Sequence, residues 1–195
     1  MTLNNFKNIC LFIFSFFLLT TFVRSQSRDE ILAGKMRVSP KASVSQTIGF
    51  TDVTINYSRP GVKERKIWGG LVAYNKVWRT GANEATKITF SKNVMINGKK
   101  LAAGSYSFFA IPEEKEWTLI FNKITNQWGA FTYNELQDAL RIKVKPVKND
   151  FHEWLLYTFS DMNVRPTGKN NSAIINLMWD KLKVSFKVEV TTSVK

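Results

Sequence analysis

From Ser39 onwards the apolar residues return at every second position, not at every third or fourth. Leu182, Val184, Phe186, Val188 and Val190 alternate with Lys181, Lys183, Ser185, Lys187 and Glu189. A helix would spread those lysines around its circumference, whereas a strand sets them all on one face, in water. Val53, Ile55 and Tyr57 share one face of the VTINY run in the same way, and Val44, Gln46 and Ile48 alternate with small polar residues.

Turn residues cut the rest of the chain into strands. Asn97-Gly98 lies between Val94-Met95-Ile96 and Lys99-Lys100-Leu101, and both residue types tolerate the positive φ of a tight type I′ hairpin. Ala103-Gly104 opens a strand over 105–111, which Pro112 stops. After the polar 113–116 turn, Trp117 to Asn122 returns. Leu140, Ile142 and Val144 alternate until Pro146, and 153–159 and 173–179 are further apolar strands. Asp180-Lys181 then reads as a two-residue turn folding 173–179 back onto the C-terminal strand. Tyr133 to Leu140 is the best candidate for a short helix. About ten strands with hairpin-length connections and no βαβ spacing predict an all-β antiparallel sandwich, jelly-roll-like, with a closed barrel as the alternative. Trp117, Trp154, Trp179, Phe109, Phe121 and Phe159 are the core candidates.

The N-terminus has a different pattern. Lys7 precedes an almost unbroken apolar run from Ile9 to Val23, and small residues follow near Ser25. A spanning helix needs about 20 apolar residues, and this shorter run suits an export signal. The expected organisation is a cleavable signal peptide over 1–25, a flexible or briefly helical leader over 26–38 and one β-domain over 39–195. An uncleaved anchor is the alternative. The expected location is periplasmic or secreted, with no membrane span after cleavage. Removing 1–25 takes away Cys10, the one cysteine, so the mature chain forms no disulfide and depends on packing. It also removes Lys7 and Arg24, so Lys+Arg falls from 28 to 26 against 15 Asp+Glu and the net charge from +13 to +11. Such a surplus favours acidic partners, among them anionic glycans and envelope components. Export argues against nucleic acid.

Candidate chemistry is sparse. With His152 the only histidine and no cysteine after processing, nothing predicts a zinc or copper site, and no dense acidic loop predicts calcium. No Gly-x-Ser-x-Gly elbow or phosphate-cradling glycine loop is present, and no cofactor is implied. Two segments do break the alternation, 57–70 and 77–86. They bring Arg59, Lys63, Arg65 and Arg79 together with Trp78, Asn83 and Glu84, and Trp128 stands outside any alternating run. Arginine offers a planar donor fork to carboxylate, phosphate or sulfate, and an indole offers a stacking face to sugars. These residues predict a cleft for an anionic or sugar-like ligand. The structural alternative is that the arginines pin irregular loops through carbonyls or Glu84. A hydrolase using Glu84 as acid or base and a structural or interaction protein of the envelope are the other readings.

The runs SPKASVSQTIGFTDVTINYSRPGVK, LVAYNKVWRTGANEATKITF, VMINGKKLAAGSYSFFAIP, WTLIFNK and QWGAF resemble the bacterial family known as domain of unknown function 2911, over roughly residues 39–190. The resemblance implies an exported bacterial domain and brings no activity, ligand or catalytic residue with it. It also implies Gly where this chain has Glu64, and Pro-Tyr-Gly where it has Ala73-Tyr74-Asn75.

Overall fold

Alternation sorts each strand into one face that seeks the core and one that seeks water, and two sheets result. The computed structural model describes residues 37–162 and 171–190, so the expected signal peptide and all but the end of the expected leader lie outside the described residues. Every described strand belongs to the compact unit Ser39–Lys195. The strands are β1 (Lys41–Ile48), β2 (Thr51–Ser58), β3 (Thr86–Phe90), β4 (Val94–Ile96), β5 (Lys99–Leu101), β6 (Gly104–Ile111), β7 (Trp117–Asn122), β8 (Asp138–Val144), β9 (Val147–Ser160) and β10 (Ser172–Val190). One sheet has the order β1-β2-β3-β6-β7-β8 and the other β5-β4-β10-β9, with all neighbours antiparallel. The result is a sandwich, not closed into a barrel.

The core lies between the inner faces. Val53, Ile55, Ile88, Phe90, Phe108, Leu119 and Phe121 meet Ile96, Leu155, Ile175, Leu177, Phe186 and Val188, all of them buried. Trp68, Trp78, Trp117 and Trp179 pack together, with ring centroids 4.8–6.3 Å apart. Trp78 and Trp179 stack, while Trp68 meets its neighbours edge to face. The indole nitrogens of Trp68, Trp117 and Trp179 are buried without a hydrogen-bond partner. Edge-to-face packing of this kind is favourable for aromatic rings beyond the area it buries.

Of the expected core residues, Trp117, Trp179 and Phe121 are central, and Phe159 packs at the margin. Phe109 is fully buried, but with Ile120 and Ala85 in a separate small cluster. Trp154 departs from expectation at 38 % exposure. Leu155 and Tyr157 take the inward positions of β9, and alternation then turns Trp154 outward.

The expected hairpin at Asn97-Gly98 forms, with φ of 46° and 78° at the two residues. The expected turn at Asp180-Lys181 does not. Residues 172–190 are one strand, and its pairing with β9 shifts register on both sides of Asp180. Ala173, Ile175, Leu177 and Trp179 face the core before the shift, and Val184, Phe186, Val188 and Val190 after it. The inward parity therefore changes from odd to even, and an irregularity in the ladder absorbs the change as a turn would have done. In place of a helix over 133–140 there is one 3₁₀ turn, Glu135–Gln137, capped by Asn134.

Candidate functional site

The inward set of β2 leaves Asn56 facing the other way, out of the sandwich. The ladder sets Ser43 opposite Asn56 and Asn56 opposite Lys87, so one polar row crosses β1, β2 and β3. Strand spacing makes that row about 10 Å wide. Beside it, the segment leading into β3 pairs with the segment after β7. The Ala85 N–H donates to the Gln127 carbonyl (2.9 Å) and the Gly129 N–H to that of Asn83 (3.0 Å), which sets Glu84 opposite Trp128. Row and segment enclose a cleft of about 780 Å³ lined by Lys41, Ser43, Asn56, Glu84, Lys87, Asn126 and Trp128, among others.

The wall of this cleft is held from behind by buried amides. Gln127 donates to the Ile124 carbonyl (2.8 Å) and to Asn122 Oδ1 (3.3 Å). Asn122 in turn donates to Asp138 Oδ1 (2.7 Å) and the Asn134 carbonyl (2.9 Å). The other Asp138 oxygen accepts from the Tyr133 hydroxyl and from Arg141 Nε, each at 2.6 Å. Burial, then the hydrogen bond to Asp138, pushes the Tyr133 phenol up to about 12. Gln127 and Asn122 are both buried, so the network fixes the backbone on which Trp128 stands 59 % exposed. Across the cleft mouth Lys41 Nζ lies 3.8 Å from Glu84 Oε1.

The eight candidate residues do not gather in one place. Glu84 and Trp128 line the cleft. Asn83 borders it and donates to the Ser39 carbonyl (3.2 Å). Arg59 Nε donates to the Leu155 carbonyl (2.9 Å), and Arg65 to the carbonyls of Val62 (3.0 Å) and Gly61 (2.6 Å), so both arginines staple the 59–65 loop. Lys63 is exposed, and its backbone N–H donates to Glu153 Oε1 (3.0 Å). Trp78 is in the core, its indole N–H on the Gly81 carbonyl (3.3 Å). Arg79 is half-buried, its Nε has no hydrogen-bond partner, and burial lowers its pKa. Among the described residues no group of three or more His, Cys, Asp or Glu could hold a metal ion, and no helix is long and apolar enough to cross a membrane.

Lys41, Ser43, Asn56, Lys87 and Asn126 were not legible as site residues. The first four are ordinary outward positions of alternating strands; only the register sets Ser43, Asn56 and Lys87 in one row, with Lys41 two residues along β1 from Ser43 and opposite Ser58.

Fold and cleft together define an antiparallel β-sandwich module with a polar, tryptophan-walled groove on an outer face. The chain belongs to the family described as protein of unknown function DUF2911, whose model matches residues 39–188. Comparison with curated proteins and with solved structures gave no match.

Proposed function

We propose that this domain is a binding module of the exported compartment that takes an anionic, sugar-like ligand in the cleft between the β1–β3 row and Trp128. The observation that carries the reading is the indole of Trp128, exposed on a wall pinned by buried amides and facing a floor with Lys41 and Lys87. A stacking face set beside cations and amides matches a sugar ring bearing a carboxylate. The volume of about 780 Å³ falls within the roughly 300–1,000 Å³ usual for small-molecule sites. Arg59, Arg65 and Trp78 act in this reading as supports of the loops beside the cleft, and Lys63 and Arg79 are not among its lining residues. Binding is favoured over hydrolysis by Glu84, because Glu84 is the one carboxylate among the lining residues and glycoside hydrolysis usually employs two.

The test is calorimetric titration with an oligogalacturonate, with a malto-oligosaccharide as the neutral counterpart. The acidic oligomer is expected to bind, and Trp128→Ala and Lys87→Ala each to weaken it at least tenfold, about 1.4 kcal/mol. Equal binding of both oligomers, no binding of either, or indifference to both substitutions refutes the reading.

A further inference from the structure

Each sheet ends in two edge strands, and three of the four edges are guarded. Along β9 the Val62 N–H donates to the Glu153 carbonyl (2.8 Å) and the Leu155 N–H to that of Pro60 (3.1 Å). Arg59 Nε donates to the Leu155 carbonyl (2.9 Å), and the Tyr157 N–H to the Tyr57 hydroxyl (3.3 Å). β5 is three residues long, and two of them are lysines. On β8 Lys99 Nζ covers the Arg141 carbonyl (3.3 Å), and Arg141 and Lys143 add charge. Cover, shortness and charge are the usual guards against a second chain adding to a sheet. β1 lacks them. It has eight residues, no proline, no glycine, no break in its register with β2, and one charge, Lys41, at its start. The Arg59 N–H on the Pro40 carbonyl (2.8 Å), and the turning of the Asp52 N–H and carbonyl to Ser91, fix which way its groups point. Even-numbered residues of β1 bond β2, so Lys41, Ser43, Ser45 and Thr47 send N–H and C=O outward. All four are exposed. Among the described residues the one bond made to these outward groups is that of Gln46 Nε2 to the Thr47 carbonyl (3.0 Å).

We propose that β1 pairs with β1 of a second copy of this chain, antiparallel and about a two-fold axis at Val44. That register alone joins all four outward residues, Lys41 to Thr47 and Ser43 to Ser45 of the second copy. Its side chains match themselves. On the inner face Val44 meets Val44 and Ala42 meets Gln46, so half-buried positions gain cover. On the outer face the two copies of Lys41 stand at opposite ends, and no like charges meet. Each Lys41 instead lies beside Thr47 of the second copy, whose hydroxyl donates to Asp52 Oδ1 (2.7 Å). The α-carbons of Lys41 and that Asp52 are then two strand spacings, about 10 Å, apart, a gap the two side chains bridge together. The 3.8 Å approach of Lys41 to Glu84 is exposed and holds the lysine weakly. A foreign peptide would meet the same backbone groups; the matched side chains and opposed charges single out a second β1. Pairing joins the two six-stranded sheets into one. An edge pairing alone buries little surface, so the dimer is of the weak, concentration-dependent kind. It depends on backbone groups at the sheet edge and stands apart from the cleft reading.

The test uses residues 26–195, the mature chain expected after cleavage, which holds every described strand and no cysteine. Sedimentation equilibrium is expected to show a reversible dimer below about 1 mM protein. Ser43→Pro removes an N–H aimed at the second copy and none that bonds β2. It is expected to weaken the dimer at least tenfold, with an unfolding midpoint close to that of the wild type. Single cysteines read the register. Val44→Cys sets two sulfurs at a non-hydrogen-bonded pair, where α-carbons stand about 4.5 Å apart, and mild oxidation is expected to link most of the dimer. In Lys41→Cys the two residues are six positions out of step, about 20 Å, and are expected to stay reduced. A chain that remains monomeric near 1 mM overturns the proposal, as does a folded Ser43→Pro variant that dimerises like wild type. Val44→Cys linking no faster than Lys41→Cys overturns it whether or not the proline variant folds.

Discussion

At Glu64 the backbone holds φ at +58°, and at Lys63, just before it, +48°. An L-residue in this left-handed region costs about 1–2 kcal/mol, and glycine costs almost nothing. The family resemblance implies Gly where this chain has Glu64 and again where it has Asn75, whose φ is also +58°. Asparagine tolerates the conformation; glutamate does so poorly. Glu64→Gly is therefore expected to raise stability in urea unfolding by about 0.5–1 kcal/mol, part of the relief being offset by the freer unfolded chain. Asn75→Gly should change it by a few tenths at most. Tyr133 carries the second prediction at this scale. The fold holds its neutral phenol, with the pKa raised from 10.0 to about 12. The stability it lends is complete below pH 10 and is lost as pH rises through about 10 to 12. In a spectrophotometric titration, Tyr133→Phe is expected to remove one late-titrating phenol, and its unfolding midpoint should fall less than the wild-type midpoint over that range.

At the scale of elements, local chemistry was readable where it was sufficient. Asn97-Gly98 makes its hairpin because two residues suited to positive φ stand between short alternating runs. Asp180 was not readable in the same way. A change of inward parity between Trp179 and Val184 demands an interruption, and either a turn or an irregular ladder satisfies it. The pairing of β10 with β9 continues on both sides of Asp180, from Ile174 opposite Ser160 to Lys183 opposite Val147, and so made the second outcome available. With φ of +54° at Asp180, Asp180→Gly is expected to leave stability level or raise it by up to about 1 kcal/mol. Asp180→Val should lower it by about 2 kcal/mol or more, since a β-branched side chain fits that conformation worst. Chemical denaturation of the two variants checks both directions.

Over the whole molecule, the concentration of arginine and tryptophan in 57–70 and 77–86 divides by depth. Trp68 and Trp78 enter the core, and Arg59 and Arg65 hold loop carbonyls. The segments do meet, through the Ala82 N–H on the Ser58 carbonyl (3.2 Å) and the edge-to-face pair of Trp68 and Trp78. Their meeting closes an end of the sandwich. The open concavity lies beside it, where the β1–β3 row faces the 125–128 wall.

Alternation and turn residues determined by themselves that this is an antiparallel β-protein, because side-chain period and backbone sign are local properties carried by a few adjacent residues. The run of matching segments determined the family. Tertiary structure alone decided the rest. It closed the strands as a sandwich, turned Trp154 outward, joined 172–190 into one strand and gathered Ser43, Asn56 and Lys87 beside Trp128. Each of those outcomes depends on pairing register between distant strands, and register is set by the global fit of two sheets around one core.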